Sequence, residues 1–569
     1  MDRHPPDVET EKMTQQKQHN SNIVRGIGRG LLLLALVLYP IVAGKNFDPQ
    51  NMLMHCIVCA AVFVWYVGRM MGNEPVAVIR YPWLDWPLVA FFCLNVIAAF
   101  LSVYHFASLL SVIWLADILL VYWMAREAFI GRIWRSALIA TLIASGAICA
   151  VWGLREYVHT VFFTGGATWR IFGPLYNPNI LASYLIGPLL VAAGLLSIYL
   201  SSGPDGADQK ADDETSQRPR FDRIGVGVAV LMIAPAILLT GSRGGLLGLM
   251  AGILVFVAFR LARHWSVRRI VVAVVGIALL FGLAVAVVPP IRNRLTQALS
   301  LQNHSVAFRY YTWLGTIDMA ANHPLTGTGP GTFEYAYPRY AKAGFTRSAH
   351  QTFLQVGADA GIPALIAFLF IGIVALRRLW RQLSASEVWV AAMASAAAGW
   401  VVALGVHNLV DYSLTVPAVA VTAMALLGLS LSSSRSADES EPTSGPSRAA
   451  VVILAALLLC GLWLFVGLQS TGTAEQAASR GLWYQAEKAA VRATTMLPMS
   501  ADAWSTRADV VFSQSQSPDD PRVQKAIEMT RRATQLAPTH AKHHLSLSRL
   551  YAFAGEPEKA LQQAKRAVE

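Results

Sequence analysis

The sequence predicts an all-α protein that crosses a membrane repeatedly: a polytopic body of about twelve transmembrane helices, one extra C-terminal span, and a C-terminal helical-repeat domain. Three observations carry that class. Of 569 residues, 55% are hydrophobic and only 14% charged, whereas soluble domains carry about 25% charged residues. Apolar runs of about 17–24 residues, long enough to cross the hydrocarbon as helices, recur along the chain. Lys and Arg gather in alternate connections between those runs, as they do when cytoplasmic loops are marked by positive charge. The net charge of +12 would raise the question of nucleic acid in a soluble chain; here the basic loops account for it, and no nucleic-acid partner is expected.

In chain order, residues 1–25 are polar and read as a disordered cytoplasmic N-terminus. The membrane domain covers 26–432, with apolar runs near 27–44, 51–71, 84–101, 106–125, 136–156, 178–200, 224–241, 244–262, 269–288, 360–379, 388–408 and 414–432. No small-residue cleavage site follows the first run, so it reads as a span and not as a cleaved signal peptide. With the N-terminus inside, the inside connections carry Arg69 and Arg80, then Arg126, Arg132 and Arg135, then Lys210, Arg218, Arg220 and Arg223. The later ones carry Arg260, Arg263, Arg268 and Arg269, then Arg377, Arg378 and Arg381, and finally Arg435 and Arg448. Residues 433–448, rich in Ser, Pro and acidic side chains, read as a cytoplasmic linker, and 449–468 as the extra transmembrane helix. One missed span would invert the pattern downstream.

That register puts four segments outside: Tyr157–Asn177, the turn Gly241-Ser242-Arg243-Gly244, a long loop 289–359, and everything after Gln469. Residues 474–569 return to soluble composition, with Ala486, Ala526 and Ala560 at like positions, Gly481 and Gly555 at turns, and Leu497-Pro498 and Ala537-Pro538 closing two segments. The pattern resembles tetratricopeptide repeats, helix pairs that stack into a concave surface; an irregular helical bundle is the competing reading.

Cys56, Cys59, Cys93, Cys149 and Cys460 all fall in apolar runs, which implies no disulfide framework. Cys56 and Cys59 have the spacing of a metal or redox pair but no second pair, so helix packing is the plainer reading, and no metal is expected. Asp117 stands alone in the fourth span, either functional or hydrogen-bonded in the interior.

The outer loop is the most informative segment, because loops of that length usually serve a purpose. Arg292, Arg294, Arg309, Arg339, Lys342 and Arg347 lie among its Tyr and Trp residues, a composition suited to an anionic, sugar-bearing ligand or simply to a solvated basic face. Arg243, in a Gly-rich turn at the membrane boundary, needs an anion, either a specific one or lipid phosphate reached by snorkelling. His350 titrates near neutrality and, at the boundary beside arginines, is suited to accept a proton, though single histidines are often structural. Asn177, Asn179, His407 and Asp411 stand at span ends, where they either shape a ligand site or start helices.

Taken together, Arg309-x-x-x-Trp313, Asn322-His323-Pro324-Leu325-x-Gly327-x-Gly329-x-Gly331-x-Phe333, His350-Gln351-x-x-Leu354-Gln355 and Gly361-Ile362-Pro363 resemble the O-antigen ligase and O-antigen polymerase superfamily. So do Ser242-Arg243-Gly244, Asn177-Pro178-Asn179 and His407-Asn408-x-x-Asp411, and the resemblance covers about residues 30–430. It implies a metal-independent membrane glycosyltransferase, without a cofactor, that moves a glycan from undecaprenyl diphosphate to a glycan, lipid or protein acceptor on the periplasmic face of a bacterial inner membrane. The family's functional arginines fall on Arg243 and Arg309 and its histidine on His350, with Asn177, Asn179, Arg347, His407 and Asp411 around the donor. Polymerisation of lipid-linked repeat units is the alternative within the class. A lipid-linked glycan transporter, or an envelope scaffold recruiting a protein partner through 474–569, is the alternative outside it.

Overall fold

The computed structural model describes residues 8–42, 49–75, 81–165, 169–209, 221–262, 304–384, 387–432 and 447–568, with a few positions between 265 and 276. The described residues are helical, with no strand. Most of the expected span 269–288 and of the linker 433–448, and Arg292 and Arg294, lie outside them. Among the described residues ten helices are long and apolar enough to cross a membrane: α1 (Val8–Val42), α2 (Pro49–Met71), α3 (Pro82–Phe100), α4 (His105–Ala128), α5 (Arg132–Val158), α6 (Pro178–Gln209), α8 (Arg243–Leu261), α10 (Thr352–Arg381), α11 (Val388–His407) and α13 (Arg448–Ser479). Two shorter apolar helices, α7 (Arg223–Leu239) and α12 (Pro417–Leu431), complete the set. These twelve match the expected spans other than 269–288.

The centre of the bundle is built from small residues. Along α11, Ala391–Ala398 and Gly399 are buried, and a Cβ on Gly252 of α8 or on Gly399 would stand 2.8 or 2.7 Å from the other's carbonyl oxygen. Such contact lets backbones approach and gain dispersion where lipid offers no hydrophobic drive. Trp400 fills the face of Gly187 on α6 and donates its indole N–H to Ser183 O at 3.1 Å.

Several expectations change here. The polar N-terminus from Val8 to residue 25 is helical and continuous with the first span; Ser21 donates to Gly68 O at 2.8 Å and Arg25 pairs with Glu74, so interhelical polar contacts order it. Arg126, expected as a loop charge, is fully buried and binds Asp85 at 2.7 Å. Asp117 is not alone: His55 Nδ1 lies 2.6 Å from it, and Tyr39 donates to it at 3.3 Å. Cys59 completes a His55–Cys59–Asp117 cluster whose ligand-type atoms lie within 4.8 Å, with His55 Nε2 turned toward Leu457 O of α13.

From His304 onward the outer loop is folded. Helix α9 (His304–Asn322) is followed by a glycine-rich strap and single turns at Phe333–Ala336 and Tyr337–Tyr340. The strap is threaded through the protein: Thr328 N–H donates to Ala358 O, Gly329 N–H to Asp359 O, and Val103 N–H to Thr328 O, at 2.9–3.0 Å. It passes the point where α10 breaks at Gly361 (φ 85°), so the returning helix starts at Thr352 and not near 360. Gly327 has φ 62°, and a Cβ there would lie 2.3 Å from the Asp359 carbonyl carbon. Gly327→Ala therefore meets both a left-handed backbone and a wall of main chain, and should destabilise the protein by about 2 kcal/mol or more. An unchanged thermal midpoint in detergent would contradict this reading.

After the last span the helix does not stop. α13 runs unbroken from Arg448 to Ser479, so the extra span and the first helix of the C-terminal region are one element. Then α14 (Trp483–Met496), α15 (Ala501–Phe512), α16 (Pro521–Leu536), α17 (Ala541–Phe553) and α18 (Pro557–Val568) each pack on the one before. Gly481 and Gly555 take positive φ at two of the turns. The module docks on the body: Ala501 N–H donates to the Tyr104 hydroxyl at 2.9 Å, and Tyr335 of the outer loop meets His540 edge-on at 4.9 Å.

Candidate active site

Five segments distant in sequence meet at one end of the bundle. The first is the entrance to α6. Asn177 Oδ1 accepts from Asn179 N–H at 2.9 Å and Ile180 N–H at 3.4 Å, which is helix-start capping. Asn179 does something else. Its Oδ1 accepts from Arg170 at 3.1 Å while its Nδ2 donates to Asp411 at 2.8 Å, bridging a guanidinium and a carboxylate.

The second is the turn into α8. Ser242 Oγ caps the helix by accepting from Gly245 N–H at 3.1 Å, which sets Arg243 in the first turn with an exposed side chain. Gly241 adopts φ 59°, and Arg170 lies across it, donating Nε–H to Thr240 O at 2.7 Å. A Cβ on Gly244 would crowd the His407 ring at 3.0 Å. The Gly-rich turn thus lets α8, Arg170 and His407 come together.

The third is the turn after α11. Asp411 is buried, accepts from Asn179 and from Tyr412 N–H, and has His407 Nε2 at 3.9 Å. The His407 ring is 1% exposed and among the described residues neither nitrogen has a hydrogen-bond partner, an orphaned polar group beside the site. Asn408 fastens this turn to the start of α10, taking Thr352 Oγ1–H at 2.6 Å.

His350 sits just before that junction. It is a non-glycine residue at φ 52°, a conformation that costs about 1–2 kcal/mol and persists only where neighbours over-determine it. Here Ala349 N–H is held by Gln355 Oε1 at 2.7 Å and Gln351 caps α10. The ring is half-buried, edge-on to Phe308 and to Tyr412, with centroids at 6.3 and 5.3 Å. Burial first and then Arg309 of α9 hold its pKa below the ordinary imidazole value, Asp411 opposing them. The Tyr412 phenol is pushed up by burial and Asp411, while hydrogen-bonded to Asn177.

Arg243 and Arg309 also act on Arg170, whose pKa is lowered by burial first and then by these two charges. Three guanidiniums therefore crowd one place. Among the described residues neither Arg243 nor Arg309 has a carboxylate partner, and Asp411 is already occupied by Asn179. The arrangement is short of negative charge and suits a multiply charged anion held bidentately.

Arg243, Arg309, His350, Asn177, Asn179, His407 and Asp411 thus converge. Arg347 does not: it faces Glu334 at 3.4 Å, is 66% exposed, and its charge acts on His540 of the module. Lys342 pairs with Asp318 at 2.5 Å. The residue that sequence reasoning missed is Arg170. Its signal was an arginine in the outside segment 157–177, the same face as Arg243 and Arg309.

Residues 227–369 match a family model described as O-antigen ligase. The matched region contains Arg243, Arg309 and His350 and ends before His407 and Asp411. No curated protein matches the chain.

Proposed function

On the premise of an O-antigen ligase domain at residues 227–369 in a polytopic helical membrane protein, we propose that the protein is a metal-independent glycosyltransferase whose donor is a glycan on undecaprenyl diphosphate. The observation that carries this is the trio Arg170, Arg243 and Arg309, gathered with no free counter-charge among the described residues, beside a His350 whose pKa is lowered by burial and by Arg309. The arginines hold the diphosphate and take up the charge that grows on it, doing electrostatically what a metal ion does elsewhere. His350 removes the proton from an acceptor hydroxyl. The hydroxyl oxygen bonds to the anomeric carbon, the bond from that carbon to the diphosphate oxygen breaks, and the electron pair leaves with the lipid diphosphate.

We place the site on the periplasmic face of a bacterial inner membrane. Arg260 on α8 and Arg378 and Arg381 on α10 stand at the opposite ends of those helices from Arg243 and His350, which supports a basic inner and a catalytic outer face. The acceptor is a glycan, lipid or protein, and the C-terminal module, read as tetratricopeptide-like, is the surface for it or for an envelope partner.

Cells lacking the chain test this reading. If it is a ligase, full-length glycan accumulates on the carrier; if it is a polymerase, single repeat units accumulate. A carrier-linked glycan pool identical to wild type would overturn both.

A further inference from the structure

A second concave site lies away from the arginine trio, where the outer loop meets the module. It is an open cleft of about 610 Å³ between Pro338–Arg339 and helices α16, α17 and α18, within the size range of small-molecule sites. We propose that this cleft binds an acidic oligosaccharide, one whose sugars carry carboxylate or phosphate groups. The proposal deepens the glycan-transfer reading and rests on it, by giving the glycan a hold apart from the diphosphate.

Charge is the first argument. Arg339 enters from the loop, and Arg531 and Arg566 from α16 and α18, while no Asp or Glu lines the cleft. Glu528 and Glu556 act on Arg531 without lining it. Among the described residues Arg339 and Arg566 make no ion pair, and Arg531 is oriented by donating to the Tyr551 hydroxyl at 2.8 Å. The uncompensated charge of the lining is therefore cationic.

Polar groups argue for a sugar. Thr539, in the wall, has a buried hydroxyl with no hydrogen-bond partner among the described residues, a group that a ligand hydroxyl would satisfy. Gln563 is pinned at 2.8 Å by His544 Nδ1, whose other nitrogen donates to Pro538 O at 2.9 Å. A fixed amide, a free hydroxyl, guanidiniums and a tyrosine edge make a hydroxyl-reading lining. Apart from alanines and two prolines, the aliphatic lining is only Leu547 and Val568, too little to anchor peptide side chains in apolar pockets.

The test is calorimetric titration of the full-length protein in lipid nanodiscs with trigalacturonate, maltotriose and triglutamate. Trigalacturonate should bind, and the R531A/R566A double variant should weaken it at least tenfold, as should Arg339→Ala on the opposite wall, at unchanged thermal midpoint. Maltotriose and triglutamate should bind at least tenfold more weakly. Absence of trigalacturonate binding, triglutamate binding as tight, or unaltered affinity in both variants overturns the proposal. Arg309→Ala should leave this binding intact while stopping transfer. Transfer that survives Arg309→Ala with trigalacturonate still bound would remove the catalytic reading and keep the cleft; the converse would remove the cleft alone.

Discussion

His350→Asn should abolish glycan transfer, lowering the rate by about 10²–10⁴-fold, the range a positioned proton acceptor contributes. Asparagine is the informative substitution because it tolerates the left-handed backbone that His350 adopts, so protein level and thermal midpoint should stay near wild type. An Asn variant that transfers glycan normally would reduce His350 to a backbone role. The pH profile carries the same argument. Burial and Arg309 both disfavour the charged ring, so neutral imidazole persists below pH 6.5, and the acid limb of kcat/KM should lie below that value. Activity is then present at neutral pH and lost as pH falls through the lowered pKa. Arg309→Gln removes one of the two causes and should move the limb of its residual activity upward. A rate that rises on acidification would instead assign His350 as a cation at the phosphates.

Arg243→Ala and Arg309→Ala should each lower transfer by about 10²–10³-fold, the loss seen when one preorganised group facing developing charge is removed. Neither side chain has an ion-pair partner among the described residues, so neither loss should be accompanied by misfolding. Lysine should restore little, since a single ammonium cannot reproduce a bidentate fork. Arg170→Ala should cost less, about tenfold, because that guanidinium is already committed to Thr240 O and Asn179 and contributes mainly its charge. The measurement is carrier-linked donor accumulating in cells that express each variant at normal levels. Transfer within threefold of wild type in both Arg243→Ala and Arg309→Ala would rule out the diphosphate clamp.

Membrane class and the apolar helices were legible because hydrocarbon thickness sets the length of each apolar run locally. Partnerships were not. Asp117 looked solitary because its partner His55 lies 62 residues away on another helix, and no periodicity within either run records that meeting. Arg126 counted as a loop cation although it is fully buried against Asp85. The site divides the same way. Arg243, Arg309 and His350 were conspicuous through their motifs, whereas Arg170 has no motif, and its place follows only from the fold that lays it across Gly241. Arg347 looked equivalent to its neighbours until Glu334 was seen to face it.

The unbroken α13 has a mechanical meaning. At about 1.5 Å per residue its 32 residues reach about 48 Å, whereas the hydrocarbon takes up about 30 Å of a spanning helix. Roughly the last 18 Å therefore extend past the hydrocarbon as an unbroken strut against which α14 and α15 pack. Because one helix joins the last span to the module, it fixes the module's distance from the bilayer, and an added turn of about 5.4 Å would pull Ala501 off the Tyr104 hydroxyl.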